Sequence, residues 1–233
     1  MKALPVALLL LAGGVAPAQE TAPTVTGIVM LNGEPLKRKP MKIACPDCAP
    51  LYPQGMPRED LVVGEAGAIR GAFVYVKSGL EGKTFRVPEE PAVLEMKGCR
   101  YEPHVLGVRV GQKIRLLNQD PHNHCVHGLA FVCGGFNVCL TPGLEIEKTL
   151  GKAEVMVRLK DDIYPWMSGW IGVVDHPFFA VTGPEGKFTL KGLPPGKYTI
   201  EVWQERCAPA SREIEIGGQD PPAMEFRLDL RKD

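Results

Sequence analysis

Apolar side chains recur at every second position along most of this chain, and no segment carries a convincing helical stripe. In GQKIRLLNQD, Ile114 and Leu116 alternate with Lys113 and Arg115. In AEVMVRLK, Val155, Val157 and Leu159 fall on one face of an extended strand, because successive strand side chains point to opposite sides. KFTLKGLPPGKYTIEVW places Phe188 and Leu190 before a Gly192-Leu193-Pro194-Pro195-Gly196 turn and Tyr198, Ile200 and Val202 after it, which reads as a hairpin-like pair. REIEIGG repeats the period with Ile214 and Ile216, and FVYV, from Phe73 to Val76, reads as a more fully buried strand. With 26 glycines and 22 prolines to punctuate many short strands, the expected class is all-β, a sandwich or barrel-like sandwich.

The opening MKALPVALLLLAGGVAPAQE has one basic residue, a short apolar run and small residues at Ala16-Pro17-Ala18. It reads as a signal peptide over residues 1–18, too short for the roughly 20 residues that span a bilayer. A periplasmic or secreted protein with no integral membrane segment in its mature part follows. Seven cysteines in an exported chain read as disulfide partners, with at least one left over. Lys plus Arg equals Asp plus Glu at 27 each without a long single-sign block, so no electrostatic footprint for nucleic acid is present. Gly-x-Ser-x-Gly, a phosphate-cradling loop, His-Glu-x-x-His and Cys-x-x-Cys-His are all absent from the sequence, and no enzyme is expected on positive grounds.

A boundary is expected near Val181-Thr182-Gly183. The strands and Pro-Gly turns beyond it, with Gly186, Phe188, Leu190, Leu193-Pro194-Pro195-Gly196, Tyr198 and Val202, resemble a carboxypeptidase regulatory-like module. The segment TVTGIVMLNGEPLKRKP has a similar look, which leaves its first strand free to pair with either unit. Upstream, FVYVKSGLEGKTF, KGCRYEPHVLGV, LNQD with His124 and His127, PWM, and then DHPFFAVT occur in one order. This series resembles the cupredoxins, and more narrowly the exported bacterial cupredoxin-like proteins that carry such a tail. The resemblance implies a Greek-key β-sandwich over residues 19–180 followed by a small regulatory-like β-sandwich over 181–233.

It also implies copper, held in that family by a thiolate and two imidazoles with a weak axial methionine. Asn118-Gln119-Asp120 matches the turn, His124 the first histidine and Met167 the axial position. Asp161 stands where the cysteine is expected, Tyr164 where the second histidine is expected, and Cys125 replaces the asparagine that braces the loop. A blue-copper site is therefore not expected.

Period two adds an argument of its own. Asp161 follows Val155, Val157 and Leu159 on the inward face, where an unpaired carboxylate is costly. It lies past the strand end in water, pairs with a cation or donor, or binds metal. Asp161 and His124, with Met167 as weak neighbour, would make an oxygen-and-nitrogen site, while Tyr164, a phenol of pKa about 10, either fills the pocket or ligates poorly. His122 and His124 point the same way on a strand and His127 the other way; with His104 they form a second cluster or simply hold loops.

Among the cysteines, Cys45-Pro46-Asp47-Cys48 has redox-motif spacing without a thioredoxin-like context and reads as structural. The family resemblance suggests that Cys48 lies near Cys99. Cys133 and Cys139 flank a loop short enough to close on itself. Cys125 is a disulfide partner, a buried thiol, or a new sulfur ligand. The function expected is an exported cupredoxin-like protein with a remodelled, non-blue copper site. The alternatives are a metal-free binding or scaffolding module, or a one-electron carrier with a thiolate reaching His124 from elsewhere. Any partner would be another exported protein or a redox partner.

Overall fold

The computed structural model describes residues 23–232; the expected signal peptide lies outside the described residues. The chain is built almost wholly of strands: β1 (Thr24–Leu31), β2 (Val62–Val63), β3 (Ile69–Arg70), β4 (Phe73–Ser78), β5 (Ala92–Met96), β6 (Tyr101–Glu102), β7 (Val105–Arg109), β8 (Lys113–Asn118) and β9 (His124–Leu129). These are followed by β10 (Phe136–Leu140), β11 (Glu145–Thr149), β12 (Glu154–Asp161), β13 (Ser168–Val174), β14 (Phe179–Val181), β15 (Lys187–Lys191), β16 (Gly196–Trp203), β17 (Ala210–Ile216) and β18 (Met224–Leu228). The all-β class expected from the alternation is the one observed. No helix among the described residues is long and apolar enough to cross a membrane.

Nine consecutive strands make the first sandwich. One sheet runs β10-β9-β12-β13-β7 and the other β11-β8-β5-β6, with parallel pairs β7/β13 and β5/β8 among otherwise antiparallel neighbours. Leu94, Met96, Ile114 and Leu116 from one sheet meet Val126, Val157, Leu159 and Ile171 from the other, all fully buried. Ile114, Leu116, Val157 and Leu159 are inward positions that period two assigns to β8 and β12, and the same face carries Asp161 into the interior at 3% exposure. Val155, expected with them, instead packs half-buried by Phe73 and Tyr75 because the register shifts between Glu154 and Val157.

The second sandwich draws its strands from both ends of the chain. β1 lies between β15, antiparallel, and β18, parallel; the facing sheet runs β14-β4-β16-β17. Val25, Val29, Val74, Val76, Phe188, Leu190, Ile200, Val202 and Phe226 fill the space between. The expected division at residue 181 therefore does not describe the pairing: β1 and β4 belong with the C-terminal strands, and residues 92–174 are inserted between them. The hairpin expected at 187–203 is also corrected. β15 pairs with β1 and β16 with β4 and β17, and the connection turns away from a hairpin with Leu193 buried in the core and the Gly192 and Leu193 N–H groups held by the Pro23 carbonyl.

The two sandwiches meet through aromatic rings on glycine. Phe73 of β4 lies so close to β13 that a Cβ on Gly172 would stand 2.6 Å from its ring, and Phe179 approaches Gly107 of β7 as closely. Nearby, His104 Nε2 lies 3.2 Å from Glu205 Oε1, and the Trp170 indole N–H donates to the same carboxylate.

Candidate metal centre

The turn between β8 and β9 is set by Asn118. Its Oδ1 accepts the Asp120 N–H at 3.0 Å, while its Nδ2 donates to the carbonyls of His122 at 2.8 Å and Leu140 at 3.0 Å. Asp120 is thereby aimed back at the Gly98-Cys99 turn, where its carboxylate accepts both backbone N–H groups, at 2.6 Å and 2.8 Å.

His124 opens β9 pointing into the core, and none of its side chain is exposed. Its Nδ1 lies 3.1 Å from Asp161 Oδ2 and its Nε2 lies 2.9 Å from Asp120 Oδ2. Asp161 is saturated as well: Oδ1 accepts the N–H groups of Ile163 at 2.8 Å and Tyr164 at 3.0 Å, and Oδ2 that of Cys125 at 3.2 Å. Of the three ways to relieve a buried carboxylate, the structure takes pairing with donors. Burial pushes the His124 imidazole down, but hydrogen bonds and charges from Asp120 and Asp161 outweigh it and hold it above the usual range. Burial works against Asp120 too, yet His124 and the N–H groups of Cys99 and Gly98 keep its carboxyl below the usual range.

His122 completes the cluster. Its ring lies 5.0 Å from that of His124, and its Nε2 is 3.8 Å from Asp120 Oδ2 and 3.3 Å from Cys99 Sγ. Tyr164 packs edge-on against both imidazoles, at 5.3 Å and 5.0 Å, and burial raises its phenol further, so it fills the pocket as a neutral ring. Met167 is buried at 2% exposure and lines a small cavity with Met41, Met56 and Trp166. His127 faces the other side of β9, 3.4 Å from Asp162 Oδ1, and His104 is engaged by Glu205. His104 and His127 are thus each paired with a carboxylate outside the group formed by Asp120, His122 and His124, as in the loop-holding alternative.

Two disulfides brace the site. Cys48 pairs with Cys99, as the resemblance implied, and Cys125 pairs with Cys139. The expected Cys133–Cys139 closure is corrected: β9 and β10 are in antiparallel register with Cys125 opposite Cys139, whereas Cys133 sits buried in a turn held by Glu154.

The blue-copper donors implied by the resemblance do not fit. Asp161 replaces the thiolate, Tyr164 the second imidazole, and Cys125 is occupied by its disulfide. A different set does fit. Asp120, His122 and His124 offer donor atoms that all lie within 4.8 Å of one another. Donors about 2.0–2.2 Å from a tetrahedral ion stand roughly 3.3–3.6 Å apart. The observed 2.9 Å and 3.8 Å bracket that spacing. Asp120 was not among the candidate ligands from sequence, although the spacing Asp-x-His-x-His was legible in DPHNH.

No protein-family model matches the chain, and no curated protein does. Solved structures with similarity include a Cu-containing nitrite reductase from Thermus scotoductus SA-01, at 20% identity and TM-score 0.35 over 41% of this chain and 25% of that one. A methionine-to-alanine mutant of amicyanin in its Cu(I) form is similar at 21% identity and TM-score 0.34, over 43% of this chain and 97% of its own. A purple cupredoxin from Nitrosopumilus maritimus is similar at 19% identity and TM-score 0.31, over 35% and 98%. This chain therefore spans only a quarter of the nitrite reductase. These are similarities over part of the chain, and the chemistry of the site rests on its own residues.

Proposed function

We propose that this protein is an exported metal-binding β-protein that holds one divalent ion, copper(II) foremost, through Asp120, His122 and His124, in a non-blue site. The observation that carries the reading is the fixed orientation of His124. Nδ1 lies 3.1 Å from the saturated Asp161 carboxylate, which would hold its N–H there, so Nε2, on the side of Asp120 and His122, is the nitrogen left to give up its proton to an incoming ion. A ligating imidazole characteristically donates its other N–H to a carboxylate in this way. Asp161 is on this view the residue that orients the ligand rather than a ligand itself. Two imidazoles and a carboxylate accept copper(II) or zinc, and the affinity order among divalent ions favours copper. The ion, when bound, would supply a type-2 centre; the protein supplies a closed, rigid cradle. Two disulfides favour an oxidising compartment, in keeping with export, and any partner would be met there. We read the second sandwich as the carboxypeptidase regulatory-like unit, completed by β1 and β4.

A second reading is favoured by the same distances. A proton on each nitrogen would make His124 an internal cation between two carboxylates, and the protein would then be a metal-free binding module. Titration of the disulfide-intact protein with copper(II), followed by calorimetry and paramagnetic resonance, separates the two. Equimolar uptake with a weakly coloured type-2 signal, lost in His122→Ala and Asp120→Asn, is expected. Uptake unchanged in both variants, or none in the parent protein, would overturn the metal reading.

A further inference from the structure

His122 belongs to two clusters at once. Its Nε2 stands with Asp120 and His124 on one side, and on the other with the sulfurs of Cys99 at 3.3 Å and Cys48 at 3.9 Å. We propose that the Cys48–Cys99 disulfide is a gate on the metal site: exchange with the Cys45 thiol frees the Cys99 sulfur, which joins Asp120, His122 and His124 as a thiolate donor. An oxygen-and-nitrogen site becomes a sulfur-bearing one, suited to softer ions. This inference rests on the metal-site reading above.

Three observations carry it. First, Cys99 is anchored independently of its disulfide. Gly98 and Cys99 both adopt left-handed backbone, φ 60° and 57°, a conformation uncommon for a residue with a Cβ. The Asp120 carboxylate holds both of their N–H groups, so the Cys99 backbone stays beside the site when the S–S bond opens, and its sulfur swings about the Cα–Cβ bond. Second, an attacking thiol is at hand. Cys45 lies in the turn leading to Cys48, closed by the Ala49 N–H to Cys45 carbonyl bond at 2.9 Å. Residues three apart on such a turn are side-chain neighbours, about 5–6 Å between Cβ atoms, and Cys-x-x-Cys is the spacing of exchangeable disulfides. Third, among the three free cysteines Cys45 alone is partly exposed. Cys133 and Cys207 are buried, and burial pushes both thiols up to about 11.

The step balances without an external electron donor. The Cys45 thiolate attacks Cys48 Sγ, the Cys45–Cys48 bond forms as Cys48–Cys99 breaks, and Cys99 leaves as a thiolate; the Cys45 proton goes to water. One disulfide is exchanged for another, and the new one joins the buried Cys48 to the partly exposed Cys45.

Cobalt(II) is the probe, because copper(II) oxidises free thiols. The full chain is equilibrated anaerobically with cobalt(II), free thiols are alkylated, and disulfide-linked peptides are quantified alongside calorimetric uptake and thiolate-to-cobalt charge-transfer absorption. At least a tenfold rise in the Cys45–Cys48 linkage, growing with the charge-transfer band, is expected. Cys45→Ser should take up cobalt(II) without the band. The double variant Cys45→Ser/Cys48→Ser, whose Cys99 is free from the outset, should show the band at once. Cobalt(II) uptake with the Cys48–Cys99 linkage unchanged, or uptake by the double variant without a band, would overturn the gate and leave the metal site standing. No uptake by any form would overturn both.

Discussion

Asparagine at position 161 would keep the shape of the aspartate and replace one oxygen by an NH2 group. The carboxylate accepts four donors: the N–H groups of Ile163 and Tyr164 at Oδ1, and those of Cys125 and His124 at Oδ2. An amide has one oxygen, so whichever way it turns, its NH2 confronts donors. The less costly orientation faces His124, which can change tautomer, and leaves the Cys125 N–H unpaired. Orphaning one buried donor costs about 1–3 kcal/mol, and losing a charge-assisted bond costs about 1.5–3 kcal/mol. Asp161→Asn should therefore destabilise the metal-free protein by about 3–5 kcal/mol. With a urea slope on the order of 2–3 kcal/mol/M, the midpoint would fall by roughly 1–2.5 M. Urea unfolding in the presence of a chelator is the assay, since a bound ion would add its own stabilisation. The tautomer change protonates Nε2, so copper affinity should also drop by about 10–100-fold. A variant within about 0.5 kcal/mol of the parent would mean that Asp161 is hydrated rather than anchoring, and the account of the site would fall.

The metal-free protein should be most stable between about pH 4 and 6.5. The contribution of His124, whose folded value is raised, is complete below about 6.5 and fades as pH rises through that folded value. The contribution of Asp120, whose folded value is lowered, is complete above about 3.9 and fades as pH falls through it. Thermal midpoints across pH would show both limbs, with His124→Gln flattening the alkaline one. Replacing Cys125 and Cys139 together by serine opens a loop of sequence separation 14 and should cost about 3 kcal/mol in chemical unfolding. Gly172→Ala forces Phe73 off β13 and should cost about 1–3 kcal/mol. Gly151→Ala, with nothing within 4 Å, should unfold within about 0.5 kcal/mol of the parent in the same assay.

Face assignment was legible in the sequence where strand side chains alternate without interruption: Ile114, Leu116, Val157 and Leu159 lie inside, and Asp161 follows them in, whereas the register shift after Glu154 takes Val155 out of that core. Partner assignment was not, since alternation says which face is buried and nothing about which strand lies alongside. That is why β1 and β4 are found with the C-terminal strands, and why a Gly-Leu-Pro-Pro-Gly turn that could close a hairpin instead crosses between sheets. Sequence proximity misleads for Cys133 for a related reason: register across β9 and β10 brings Cys125 to Cys139, and distance along the chain does not enter. Asp120 reads from sequence as a turn residue. Its carboxylate is brought onto His124 by the Asn118 hydrogen bonds, a geometry that the spacing hints at and cannot fix.

The place of β1 has a consequence in time. Its two neighbours, β15 and β18, are synthesised only after the whole of the inserted sandwich. At about 5–20 residues per second, the stretch from Leu31 to Lys187 takes roughly 10–30 s, during which β1 has no strand to pair with. The inserted sandwich, contiguous over residues 92–174, is complete well before that and can close first. A stop codon ahead of residue 187 would therefore not trim a tail from a finished protein. It would leave β1, an apolar strand made long before, without either of the strands it pairs with.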